Sequence, residues 1–176
     1  MCGDGVDQDC DGLDLDCSRR FVEIGQPLGL NDAHTGRGAA FVDFDGDGDL
    51  DLHVVNFSSA RDYLWRNDVE TGNNWIAVRP LLSLPGGLSR DAIGAMVWID
   101  FDGNGDFLPA SEGGGGIFMQ EVSAGFNQSA FGLHFGLGSW PGPVAVRIRF
   151  PGPGTLAERT VVMTGVEVNR RIEAVR

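Results

Sequence analysis

The chain has 176 residues, enough for one sizeable domain with short appendages. Its formal charge is −12, all 13 basic residues are arginine, and 13 of the 25 acidic residues fall within the first 51 positions. That balance argues against nucleic-acid binding, which needs a basic surface, and no run of 18 apolar residues is present to span a membrane. A hydrophobic content of 42% is ordinary for a globular protein, while 27 Gly and 8 Pro point to many turns.

The opening stretch, CGDGVDQDCDGLDLDC, has few side chains able to build a core. Asp7, Asp9 and Asp11, followed by Gly12, place three alternating carboxylates before a glycine, with Asp14 and Asp16 as further oxygen donors. Cys2, Cys10 and Cys17 alternate with them. In a reducing cell three cysteines suggest a soft-metal site, but His and CxxC are missing from the stretch. In an oxidising compartment they are staples, and a disulfide between Cys10 and one of the other two is expected. The odd cysteine, and a start with neither a charged nor an apolar leader region, suggest a fragment whose export signal lies upstream. The stretch resembles one incomplete copy of the short metal-binding repeat of CGDGVDNDCDG type found in secreted bacterial surface proteins.

Residues 20–67 read as one repeat. RFVEIGQPLGL is a strand and turn, AAFV and LHVVNF are strands, and RDYLWRN holds a short aromatic strand. Between the middle pair lies Asp43-Phe-Asp45-Gly-Asp47-Gly-Asp49-Leu-Asp51. Two unit charges ~4 Å apart cost about 1 kcal/mol even in water, so five carboxylates in nine residues call for a cation. Asp43, Asp45 and Asp47 occupy loop positions 1, 3 and 5, Gly48 the sharp turn, the Asp49 carbonyl position 7, and Asp51 position 9. An oxygen-only shell at this spacing suits Ca²⁺, and the absence of Cys and His argues against zinc or copper. An EF-hand would carry Glu at position 12, which here is Val54, and the flanks alternate like strands. The loop is therefore expected at the end of a β-hairpin. The unit resembles one FG-GAP/VCBS-type repeat, the blade of integrin-like β-propellers, which holds calcium in this loop. A single blade cannot bury its own face, so upstream blades or a neighbouring domain should cover it.

From residue 73 onward, NNWIAVRPLL, AMVWID, GIFMQEV, FGLHFGL, VAVRIRF, ERTVVMT and VEVNRRIEAV read as seven short strands separated by Gly/Pro turns, the pattern of a β-sandwich. The ordered motifs GNNWIAVRP, SRDAIGAMVWI, QEVSAG, LHFGLG, VAVRIRFPGPG and NRRI resemble the ASPIC/UnbV domain, which commonly follows FG-GAP/VCBS repeats in exported proteins. Where that family has a short turn, this chain has IDFDGNGDFLPASEGGGG. Asp100, Asp102 and Asn104 repeat positions 1, 3 and 5, and the Asp106 carbonyl takes position 7. Position 9 is Leu108, with Glu112 able to reach around. A second Ca²⁺ is expected there.

Nothing in the chain carries a recognised catalytic pattern: GxSxG, HExxH and the P-loop are absent. His53 and His134 read as strand residues and His34 as a loop residue without a nucleophile nearby. Trp65, Trp75, Trp98 and Trp140 fit core or edge packing, with sugar stacking as the alternative.

The expected architecture is all-β. A Cys/Asp-rich linker (1–18) and one blade-like repeat (19–70) precede a terminal β-sandwich (71–176). The blade's apolar side chains, Phe41, Val42, Leu50, Leu52, Val54, Phe57, Leu64 and Trp65, are expected to share the sandwich core. The function implied is that of a non-catalytic, calcium-binding extracellular module for surface structure, adhesion or recognition of a protein or glycan. The alternative is an accessory carbohydrate-binding domain of a secreted enzyme.

Overall fold

Alternating apolar and polar residues, interrupted by glycine turns, give a chain of short strands that pair mostly antiparallel. The computed structural model describes residues 24–31, 33–57, 61–108, 116–123, 132–153, 155 and 159–176. The residues up to Ala33 form a unit of their own. Its described part is a turn over Gly25–Gly29, closed by the Leu30 amide donating to the Gly25 carbonyl at 2.7 Å. Asp7, Asp9, Asp11, the three cysteines, residues 20–23 and Glu112 lie outside the described residues.

Residues 34–176 form the second unit. It opens with β1 (Gly36–Val42), β2 (Asp51–Asn56) and β3 (Tyr63–Trp65), an antiparallel sheet in the order β1-β2-β3. The pairing of Val42 with Asp51 leaves the Asp-rich stretch as the hairpin loop.

The long strand β4 (Asn74–Leu84) organises the next sheet. Along one edge β11 (Arg170–Val175) runs parallel to it. Along the other, β8 (Leu133–Gly138) pairs antiparallel with residues 74–78 and β5 (Leu88–Asp91) with residues 81–84. Pro80 falls in the gap between those two pairings, where its missing N–H interrupts no ladder, while its carbonyl accepts from the Ala92 amide at 3.0 Å. The third sheet is antiparallel in the order β10-β9-β6-β7: β6 (Met96–Asp100), β7 (Ile117–Glu121), β9 (Val144–Arg149) and β10 (Thr160–Val166).

The two four-stranded sheets contribute to one apolar cluster. Ile76 and Val78 enter from β4, Val97 and Ile99 from β6, and Val144, Val146 and Ile148 from β9, all at 0% exposure, with Phe135 of β8 beside them. The fold is all-β: no helix occurs among the described residues, and none of the sheets closes into a barrel.

All seven strands expected beyond residue 73 have counterparts, and β5 is an eighth. Its sequence LSRD is short and largely exposed, so no buried alternation marks it. Only the preceding turn does, where Gly86 and Gly87 take positive φ of 83° and 77° between the paired Leu84 and Leu88.

The expectation of a shared core is corrected. The β1–β3 sheet touches the rest of the unit through its Asp loop, yet no hydrophobic side chain of residues 34–70 is fully buried among those described. Phe41, Phe57 and Leu64 remain 55%, 54% and 48% exposed, while Val42, Leu50, Leu52, Val54 and Trp65 are half-buried outside the main cluster. A sheet whose third strand has three residues offers too little face to cover them. Phe57 instead carries the Arg37 guanidinium over its ring at 4.1 Å.

Ile99→Ala should therefore destabilise the protein by about 2–5 kcal/mol in denaturant unfolding. Leu64→Ser should change it by less than about 0.5 kcal/mol. A comparable loss for both would mean that the small sheet is buried after all.

Candidate metal centres

The first hairpin end is shaped by its own carboxylates. Asp43 Oδ1 accepts from the Gly46 amide at 2.7 Å and Oδ2 from the Gly48 amide at 3.1 Å. Asp45 Oδ1 accepts from the Asp47 amide at 3.4 Å and Asp47 Oδ1 from the Asp49 amide at 2.9 Å. These contacts wind the chain inward, and Gly46 and Gly48 absorb the tight path with φ of 86° and 103°. Asp51, fully buried, braces the base of the loop. Its Oδ2 accepts from the Phe44 amide at 3.0 Å and its Oδ1 from the Asn67 amide at 2.8 Å.

Asp43, Asp45 and Asp51 each offer an oxygen within 4.8 Å of the others, a group able to hold a metal ion. Asp47 and Asp49 stand in the same loop without joining that group. Two arginines flank it. Arg171 of β11 places Nη2 2.6 Å from Asp43 Oδ2 and donates to the Asp43 carbonyl at 3.0 Å. Arg66 lies 3.9 Å from Asp45 while paired with Asp68 at 2.6 Å.

The loop is also capped by aromatic rings. Gly48 is buried against Trp75, and a Cβ there would enter the indole ring. Trp75 stacks on His134 with centroids 5.5 Å apart and planes 16° from parallel. His134 Nε2 lies 2.8 Å from the Gly48 carbonyl, which can only accept, so the imidazole donates from Nε2. His134 is thus a structural strand residue whose side chain ties β8 to the loop.

The second hairpin end joins β6 to β7. Asp100, the last residue of β6, is 0% exposed. Its Oδ2 accepts from the Gly105 amide at 3.1 Å and the Phe107 amide at 3.3 Å, whereas Oδ1 has no hydrogen-bond partner. Burial pushes the Asp100 carboxyl above its ordinary range, and the charge of Asp102 adds to that; the Phe107 and Gly105 amides oppose it. Asn104 donates Nδ2 to Asp102 Oδ2 at 2.9 Å and to Asp106 Oδ2 at 3.0 Å, drawing the two exposed acids together. Asp100, Asp102 and Asp106 offer oxygens within 4.8 Å of one another, the second group able to hold a metal ion. Gly103 and Gly105, at φ 70° and 83°, bring this loop against Pro143 and Thr164.

Both groups are carboxylate oxygens, the donor set of hard divalent cations such as Ca²⁺ and Mg²⁺. The i, i+2, i+4 spacing announced both loops. Nothing local announced Arg171, 128 residues from Asp43, or His134, 86 residues from Gly48.

A cleft of about 620 Å³ opens beside the first loop, lined by Phe41, Leu50, Leu133, Arg79 and Glu173 among others. Its two arginines are paired: Arg79 bonds both oxygens of the neighbouring Asp91, at 2.7 and 3.1 Å, and reaches Glu173 at 3.4 Å, and Arg171 pairs with Asp43. Compared with protein-family models and with curated proteins, the chain has no significant match.

A matched pair of variants tests the ring cap. Gly46→Ala has open space around the new methyl and should cost only the strain of positive φ, about 1–2 kcal/mol. Gly48→Ala carries the same strain and also drives a methyl into Trp75, adding about 1–3 kcal/mol in denaturant unfolding. Equal losses would show that Trp75 does not close over the loop.

Proposed function

We propose that the chain is a non-catalytic, calcium-stabilised module of an exported protein, serving surface structure, adhesion or ligand recognition. The observation that carries this reading is the pair of carboxylate groups, each at the closed end of a β-hairpin and each anchored by a fully buried aspartate, Asp51 or Asp100. Acids packed so closely repel one another, and a dication between them turns that repulsion into cross-links that fix the turn. Calcium is the ion assigned, because flexible oxygen-rich turns of this spacing suit its irregular shell better than the strict octahedron of Mg²⁺.

In architecture, β1–β3 correspond to a single FG-GAP/VCBS-like blade. The two four-stranded sheets with their common core correspond to an ASPIC/UnbV-like sandwich. Support for the sandwich comes from core residues contributed by β4, β6, β8 and β9 together. The calcium role is structural: the ions hold the hairpin ends so that strands pair and recognition surfaces keep their shape. An extracellular setting suits it, since modules there operate at calcium levels that saturate weak sites. The partner is an extracellular protein or glycan.

One observation favours the accessory carbohydrate-binding reading. Tyr63 and Trp65 stack with centroids 5.0 Å apart and planes 8° from parallel on β3, at the edge of the small sheet. Polysaccharide binding abolished by Trp65→Ala would support that role.

Thermal unfolding of the full chain in calcium and in chelator tests the main reading. At calcium ~100-fold above its dissociation constant, stabilisation should be about 2.7 kcal/mol, raising the midpoint by about 5–10 °C. An identical midpoint in the two conditions would contradict it.

A further inference from the structure

The two Asp-rich loops differ in the charges beside their carboxylates and in how their buried aspartates are hydrogen-bonded. The loop at residues 43–51 has more acids, and ligand charge ordinarily raises affinity for a dication. We propose that the tighter divalent-cation site is nevertheless the other one, formed by Asp100, Asp102 and Asp106 at the end of β6. The inference deepens the calcium reading above and rests on it.

In the 43–51 loop the inward oxygens are occupied. Both oxygens of Asp43 accept backbone amides, from Gly46 and Gly48, and the Arg171 guanidinium sits 2.6 Å from Oδ2. Both oxygens of the buried Asp51 also accept amides, from Phe44 and Asn67. Arg66 adds a second positive charge 3.9 Å from Asp45. An entering ion must share or displace these partners, and part of the repulsion it would relieve is already neutralised by the chain's own arginines.

The exposed acids of the 100–106 loop are hydrogen-bonded too, both oxygens of Asp102 and of Asp106 accepting from the Asn104 and Leu108 amides or the Asn104 side chain. The loop differs instead at its buried aspartate and in the charges beside it. Asp100 is 0% exposed, its Oδ2 takes two amides, and its Oδ1 has no hydrogen-bond partner. A buried carboxylate oxygen without a partner is costly, and within the Asp102–Asp106 group the natural partner is a cation. No ion pair among the described residues reaches Asp100, Asp102 or Asp106. Asn104 Nδ2 bridges Asp102 and Asp106, so an entering ion must share or displace this donor as well, but it is a neutral amide where the other loop has arginines. The site is also seated on the core: Asp100 continues the strand that carries Val97 and Ile99, and buried Phe107 closes the loop. An ion here stabilises the main body of the fold, while one at 43–51 stabilises the junction with the small sheet.

Calorimetric titration of the chelator-treated full chain with CaCl₂ decides the matter, using Asp102→Asn and Asp45→Asn, both at exposed positions. The wild type should show two unequal sites. Asp102→Asn should weaken the tighter one by about 10- to 100-fold, the loss typical of a disturbed metal shell, whereas Asp45→Asn should leave it unchanged. Arg171→Gln should strengthen the weaker site by removing its built-in competitor. Loss of the tighter site in Asp45→Asn, two equal sites, or a weaker site further weakened by Arg171→Gln would overturn this inference and leave the calcium reading intact. No heat and no binding in the wild type would overturn both.

Discussion

Two aspartates, Asp51 and Asp100, are withdrawn completely from water, and the form of both hairpin ends follows from the need to satisfy them. An ionised carboxylate in a dry interior is prohibitive unless hydrogen bonds or an opposite charge replace its hydration. At Asp51 two backbone amides from separate segments, Phe44 and Asn67, do this, so the residue stitches the loop to the chain after β3. At Asp100 two amides from its own loop converge on one oxygen, and the other oxygen has no hydrogen-bond partner. The glycines at 46, 48, 103 and 105 all take positive φ, which is how so tight a wrapping is reached.

The same loops explain how the small sheet is held. It is joined through polar and aromatic contacts at one end: Gly48 under Trp75, its carbonyl on His134, and Asp43 on Arg171. The apolar cluster belongs to the two larger sheets. Any ion at Asp43, Asp45 and Asp51 therefore sits at the point where the small sheet meets β4, β8 and β11. Loop order and attachment of the small sheet are one property.

Much of this was legible from residue types and spacing. The alternating acids followed by glycine placed both loops at hairpin ends, and runs such as VAVRIR marked strands because their branched side chains suit a pleated, buried surface. The strand β5 escaped because an exposed LSRD has neither alternation nor β-branched residues. The shared core was misjudged because apolar content measures what a segment would like to bury, not the area its neighbours offer. Sheet order, with β11 parallel to β4 and β6 between β9 and β7, depends on long-range pairing that local periodicity does not encode. The same holds for Arg171, which sets the charge balance of a loop 128 residues away.

The central claim is that carboxylates gathered at the hairpin ends exist to hold a dication. Crystals of the protein grown in calcium and then exchanged into a lanthanide test it most directly, because anomalous diffraction locates the ion itself. The account predicts an anomalous peak ligated by Asp100, Asp102 and Asp106, and at higher concentration a second one among Asp43, Asp45 and Asp51. Ordered loops with no peak at either group, at saturating lanthanide, would contradict it.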